Sequence, residues 1–95
     1  MMYHYMTMPD ETVVTHSHLI ISGNTRCIKV HFERPVNGGF FSARCQLPEY
    51  RWEYVDGFSR KEIEGFLQFM KENEDSLLCS AESRVNNHTT EVTGS

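Results

Sequence analysis

Apolar and polar positions alternate with a period of two through most of the first half of the chain. Over residues 27–34, Ile28, Val30 and Phe32 fall on one side, while Cys27, Lys29, His31 and Glu33 fall on the other, the pattern of a half-buried strand. Phe41, Ala43, Cys45 and Leu47 alternate with Ser42, Arg44 and Gln46, and Tyr50, Trp52 and Tyr54 alternate with Arg51, Glu53 and Val55. Residues 3–8 and the β-branched run 13–21 supply two further strands. Turn chemistry separates these segments at residues 9–12, 22–25, 35–39 and 48–49. The period then changes. Ser59 and Glu62 form a capping box, with Phe58 and Ile63 placed as a hydrophobic staple. Ile63, Phe66, Leu67 and Met70 follow at helical spacing, and Leu77, Leu78 and Ala81 continue the stripe beyond an interruption at Glu74. A helix over residues 60–82 would be roughly 34 Å long, against about 17–20 Å for a strand of ordinary length. It therefore breaks near residues 73–76 or overhangs the sheet. The pattern predicts an α+β fold, a four- or five-stranded antiparallel β-meander with one C-terminal helix packed on one face.

Pairing registers follow from keeping apolar positions on one face. A tip at Gly23-Asn24 sets Leu19 against Ile28 and His16 against His31. A tip at Asn37-Gly38 sets Phe32 against Ala43, Val30 against Cys45, Ile28 against Leu47 and His31 against Arg44. A turn at Pro48-Glu49 sets Cys45 against Trp52, Ala43 against Tyr54 and Arg44 against Glu53, an opposite-charge pair. The face to be covered by the helix then carries Leu19, Ile28, Val30, Phe32, Phe41, Cys45, Leu47, Trp52 and Tyr54. The open face carries His16, His18, Lys29, His31, Glu33, Arg44 and Glu53, joined by Tyr3 and Tyr5 if the first strand pairs through residues 9–12.

The length of 95 residues fits one domain, expected over residues 1–83, with the polar stretch 84–95 read as a disordered tail. Thirteen acidic against nine basic residues leave a net charge of −4, which argues against a generic binder of nucleic-acid backbone. Three cysteines without a CxxC spacing fit free thiols in a reducing compartment. Residues 1–8 lack the apolar core of a signal peptide, so the expected location is cytoplasmic, without membrane association, and the Asn87-His88-Thr89 sequon carries no expectation of glycosylation.

Candidate chemistry concentrates on the open face. His16 and His18 share a face of one strand, with His31 expected opposite His16, a spacing that suits a divalent metal or small ligand. Lys29 and Arg44 would repel a cation there, and no cofactor is expected. Tyr3, Tyr5, His16, His18, Lys29, His31 and Arg44 together mix aromatic and basic groups, as sheets that stack single-stranded bases do. Half-exposed strands also carry such residues simply as a solvated face. Cys45 is expected to pack beneath Trp52, and no third group orients an imidazole toward Cys27, so no enzyme is read here. Residues 36–39 lack the Lys-Ser/Thr pair and following helix of a phosphate-binding loop.

The block Val30-His31-Phe32-Glu33-Arg34-Pro35, followed by Gly39-Phe40, Ser42-Ala43-Arg44-Cys45, Leu47-Pro48 and Gly57-Phe58-Ser59, resembles small uncharacterised bacterial proteins of gut Firmicutes that accompany mobile elements. The likeness covers roughly residues 8–80 and implies a setting without an activity. More distantly, the Gly-aromatic strand, Leu-Pro corner and Ser-capped helix are similar to HicB-type antitoxins, from which the chain departs at Glu49-Tyr50. The expectation is a small non-enzymatic module that works by binding an unidentified protein partner or a second copy of itself. Its expected partner-binding residues are Tyr3, Tyr5, Lys29, Arg44, Leu77 and Leu78. Metal or ligand binding by His16, His18 and His31, and single-strand binding or antitoxin-like inhibition, are the alternatives.

Overall fold

The structure, a computed structural model, describes residues 2–83. The expected disordered tail and the sequon lie outside the described residues. Six antiparallel strands form the sheet: β1 (Tyr3–Thr7), β2 (Val13–His16), β3 (Ile20–Ser22), β4 (Thr25–Val36), β5 (Gly39–Leu47) and β6 (Arg51–Asp56). Their order is β1-β2-β4-β5-β6, with β3 paired to the start of β4. Two helices follow, α1 (Arg60–Glu72) and α2 (residues 74–83). The architecture is thus α+β, with six strands in place of four or five and two helices in place of one.

The two additional elements each arise at an identifiable interruption. Residues 13–21 do not make one strand, because residues 17–19 interrupt it. The Ser17 amide donates to the Lys29 carbonyl at 2.9 Å, and the Ser17 hydroxyl accepts from the Lys29 amide at 2.9 Å. A side-chain oxygen replaces a backbone carbonyl in the ladder, and the register slips by one residue across the break. His16 pairs with Val30, while Ile20 pairs with Cys27. The helix breaks at Asn73, as the length argument required of a helix that does not overhang. The Asn73 side-chain amide donates to the Phe69 carbonyl at 2.8 Å, capping α1. At its other end Ser59 and Glu62 make both bonds of the capping box.

The β4–β5 ladder runs as the sequence predicts, with Ile28, Val30 and Phe32 opposite Leu47, Cys45 and Ala43, and His31 opposite Arg44. All six apolar members are fully buried. Phe32 stacks on Phe66 of α1, ring centroids 4.3 Å apart, and Phe66 meets Phe58 edge-on at 4.9 Å. Leu77 and Ala81 bring α2 into the same core, with both side chains fully buried. Val14, Ile28 and Met70 complete one apolar layer between sheet and helices.

Three polar side chains on the helix side align the layers. Arg34 donates to Asp10 at 2.9 Å and to Glu62 at 2.6 Å, with its guanidinium against the Phe41 and Phe58 rings. It ties the β1–β2 turn to the first turn of α1. The Tyr5 hydroxyl is hydrogen-bonded to Asn73 at 3.2 Å and to Ser76 at 2.8 Å, holding the α1–α2 junction from one side. Tyr50, at φ +57°, reaches the junction from the other side and donates to Glu74.

Gly57 connects β6 to α1 at φ +98°, and a Cβ there would lie 2.2 Å from a Phe41 ring carbon. Gly65, inside α1, faces open space. Gly57→Ala is expected to lower the unfolding free energy by about 1–3 kcal/mol or more. Gly65→Ala should raise it by about 0.5–1 kcal/mol. Urea denaturation of the two variants checks both signs.

The Arg34 ties also set an acid response. The Thr12 hydroxyl nearby and the Thr12 amide, then Arg34, hold Asp10 below its ordinary 3.8. The Ser59 amide, then Arg34, hold Glu62 below 4.5. Their contribution is therefore complete above about pH 4.5 and fades as pH falls through the lowered folded values. Arg34→Gln should destabilise at neutral pH by about 1–3 kcal/mol and flatten this acid loss in denaturation curves across pH.

Candidate functional site: the open sheet face

Both helices pack on one side of the sheet, so the other side is covered by none of the described elements. The registers place one transverse row on it. His4 pairs with Thr15, Thr15 with His31, His31 with Arg44, and Arg44 with Tyr54. The row crosses all five strands of the main path, roughly 19 Å at the usual strand spacing.

Its chemistry depends on a bulge in β6. Cys45 pairs with Trp52, as expected, but the next pairs are Arg44 with Tyr54 and Ala43 with Val55. Glu53 is the extra residue, so every later side chain changes face. Tyr54 moves from the expected core face to the open face, and Glu53 leaves its expected partner Arg44 for Lys29, at 3.0 Å. The Tyr54 ring extends across Arg44, whose guanidinium carbon lies 5.7 Å from the ring centroid. The Tyr54 hydroxyl is hydrogen-bonded to His31 Nε2 at 3.1 Å. Arg44 is half-buried beneath this roof. Its Nε is enclosed with no hydrogen-bond partner, and no carboxylate pairs with it among the described residues. The result is a cation held between an aromatic ring and an imidazole with no ion-pair partner among the described residues. Burial, then the Arg44 charge, lowers the His31 pKa below 6.5 and so favours the neutral imidazole, against an opposing pull from Glu33.

The other residues singled out from sequence lie elsewhere. His16 is fully buried on the helix side. Its Nδ1–H donates to the Ser17 carbonyl at 2.7 Å, and Nε2 is hydrogen-bonded to Ser80 of α2 at 3.0 Å. The slip at residues 17–19 put it there. His18 is exposed within that break, and His31 is on the opposite face, so the three imidazoles do not converge. Among the described residues, no three His, Cys, Asp or Glu side chains are grouped to hold a metal ion. Tyr3 and Tyr5 are also on the helix side: Tyr3 pairs with His16, which has itself turned to that side, and Tyr5, two residues on, faces Phe69 and the helix junction. Lys29 is on the open face as expected, with Glu53 as its partner.

Leu77 is buried in the core and presents nothing to a partner. Leu78 is half-buried and lines a groove of about 300 Å³ with Leu19, Pro48 and Cys79, where Arg26 and Glu82 are ion-paired at 3.0 Å. Cys45 is fully buried, and burial, then Glu53, pushes its thiol up to about 11. That is the behaviour of a packing residue, opposite to an activated nucleophile. No helix among the described residues is long and apolar enough to cross a membrane.

Sequence reasoning placed Arg44 and His31 side by side but missed Tyr54 as their companion. Alternation assumes a regular strand, and nothing in Arg51-Trp52-Glu53-Tyr54 announces an extra residue. Comparison with protein-family models, with curated proteins and with solved structures finds no match to this chain.

The geometry around His31 sets a titration. His31 should titrate below 6.5 by NMR, and Arg44→Gln should move it upward. With its folded pKa lowered, the unfolded chain binds the proton first, so stability falls as pH drops below about 6.5. His31→Gln should remove that part of the slope in denaturation measured across this range.

Proposed function

We propose that this chain is a small non-enzymatic binding module that acts through its open sheet face on a protein partner presenting a carboxylate-bearing extended segment. The observation that carries this reading is Arg44, a half-buried guanidinium with no ion-pair partner among the described residues, under Tyr54 and next to His31. A buried or half-buried charge is ordinarily paired, and a carboxylate arriving from outside would complete the pair. The guanidinium offers planar, multidentate geometry for that contact, and Tyr54, 40% exposed, supplies an aromatic anchor beside it. The net charge of −4 disfavours a polyphosphate backbone as the ligand while leaving a local cation free to receive one acidic side chain. An inhibitor or antitoxin-like role is one form such stoichiometric protein binding would take.

Titration of the ¹⁵N-labelled protein with an extended glutamate- and aromatic-containing peptide tests this. Amide shifts should cluster on Thr15, His31, Arg44 and Tyr54, and Arg44→Gln should weaken binding by roughly tenfold to a hundredfold. Tighter, salt-dependent binding of oligo-deoxythymidine at the same row would replace the protein-binding reading with a nucleic-acid one. Absence of shifts on the row with either probe would overturn the open-face site.

A further inference from the structure

The β6 strand ends the sheet on one side, and no described element pairs with its outer edge. The bulge gives that edge an unusual property. In a regular strand, residues an odd number of positions apart point to opposite faces. After the extra residue at Glu53, Trp52 and Val55 both point to the helix side, since they pair with Cys45 and Ala43. Arg51 and Asp56 both point to the open face, since they pair with Gln46 and Ser42.

A two-fold axis between two antiparallel edge strands pairs each residue with its mirror position, and paired residues must share a face. On this strand one register meets that condition along its length: Arg51 opposite Asp56, Trp52 opposite Val55, and Glu53 opposite Tyr54. Shifting it by one residue in either direction places Trp52 against a residue of the open face. The permitted register sets opposite charges against each other at both ends and an apolar pair inside each of them. Val55, 43% exposed and one of four large apolar side chains left open among the described residues, would be covered by the partner's Trp52. The other edge, β1, has no acidic or basic pair to oppose, and its Tyr5 is engaged by α1 and α2.

We infer that β6 pairs with β6 of a second copy of this chain in this register, joining two sheets into one continuous antiparallel sheet. Bulges commonly protect an edge from pairing. Here the bulge leaves this as the one register that matches faces over the whole strand, against three-residue overlaps centred on Trp52 or Val55, which favours a closed dimer over open-ended stacking. The joined sheet would carry two Arg44–Tyr54 sets on one face, about 14 Å apart across three strand spacings. This inference rests on the edge and not on the carboxylate site, so either stands without the other.

Sedimentation and light scattering across a concentration series should give a mass rising toward twice 11.1 kDa. Arg51→Asp sets Asp against Asp56 of the partner strand at both ends, and Asp56→Arg sets Arg against Arg51. Each single reversal should weaken the dimer about tenfold or more, and the double variant Arg51→Asp/Asp56→Arg should recover most of that loss. Arg51 and Asp56 are both exposed, so circular dichroism should show all three variants folded. A wild-type chain that stays monomeric overturns the inference. So does a dimer indifferent to the single reversals, or a double variant no better than either single one.

Discussion

One extra residue in the edge strand governs both the open sheet face and the free sheet edge of this molecule. Glu53 fits no ladder position, and the strand beyond it is turned over. Tyr54 is thereby placed over Arg44, Glu53 is drawn to Lys29, and Arg44 is left with an aromatic ring and an imidazole as neighbours. In an unbroken β6, Arg44 would face Glu53 as a neutralised surface pair, and Tyr54 would be pressed against Ala43 in the core. Because a sheet's side chains alternate strictly, a one-residue slip is an all-or-none change of face. It is an economical way to move an aromatic side chain from packing to surface.

The rest of the fold absorbs such slips through a helical layer confined to one side. The break at residues 17–19 turns a polar side chain inward, and the bulge at Tyr5 lies where an aromatic one reaches the helix junction. His16 reaches Ser80, and Tyr5 reaches Asn73 and Ser76. His16 and Tyr5 thus find partners for their buried polar atoms on the helical segments, as burial away from water requires. The helix junction at Asn73 lies where these bonds and that of Tyr50 to Glu74 converge. Irregularities on the helix side therefore serve cohesion, and the one at Glu53 serves the surface.

Arg34 and Arg44, ten residues apart on neighbouring strands, show how environment sorts one residue type. Arg34 points to the helix side at the rim of the core and meets two carboxylates and two aromatic rings. Arg44 points to the open side and meets one ring and, among the described residues, pairs with no carboxylate. The first is satisfied within the fold. The second, in the reading proposed above, is satisfied by what the module binds.

Local signals in the sequence determined the elements whose causes are local. The capping box of Ser59 and Glu62, the tip at Asn37-Gly38 and the full β4–β5 register follow from turn chemistry and alternation over a few residues, and helix length narrowed the helical region to a break near residues 73–76 or an overhang. The positions of His16, Tyr3, Tyr5 and Tyr54 did not follow. Each lies in or beyond a one-residue irregularity, and alternation carries any such error to the opposite face. What produces the irregularities is non-local: Ser17 bonding across to Lys29, Tyr5 reaching helices almost seventy residues later, and Glu53 meeting Lys29 two strands away. Only the packed structure brings those partners within a hydrogen bond of one another, so only it could decide which face each side chain serves.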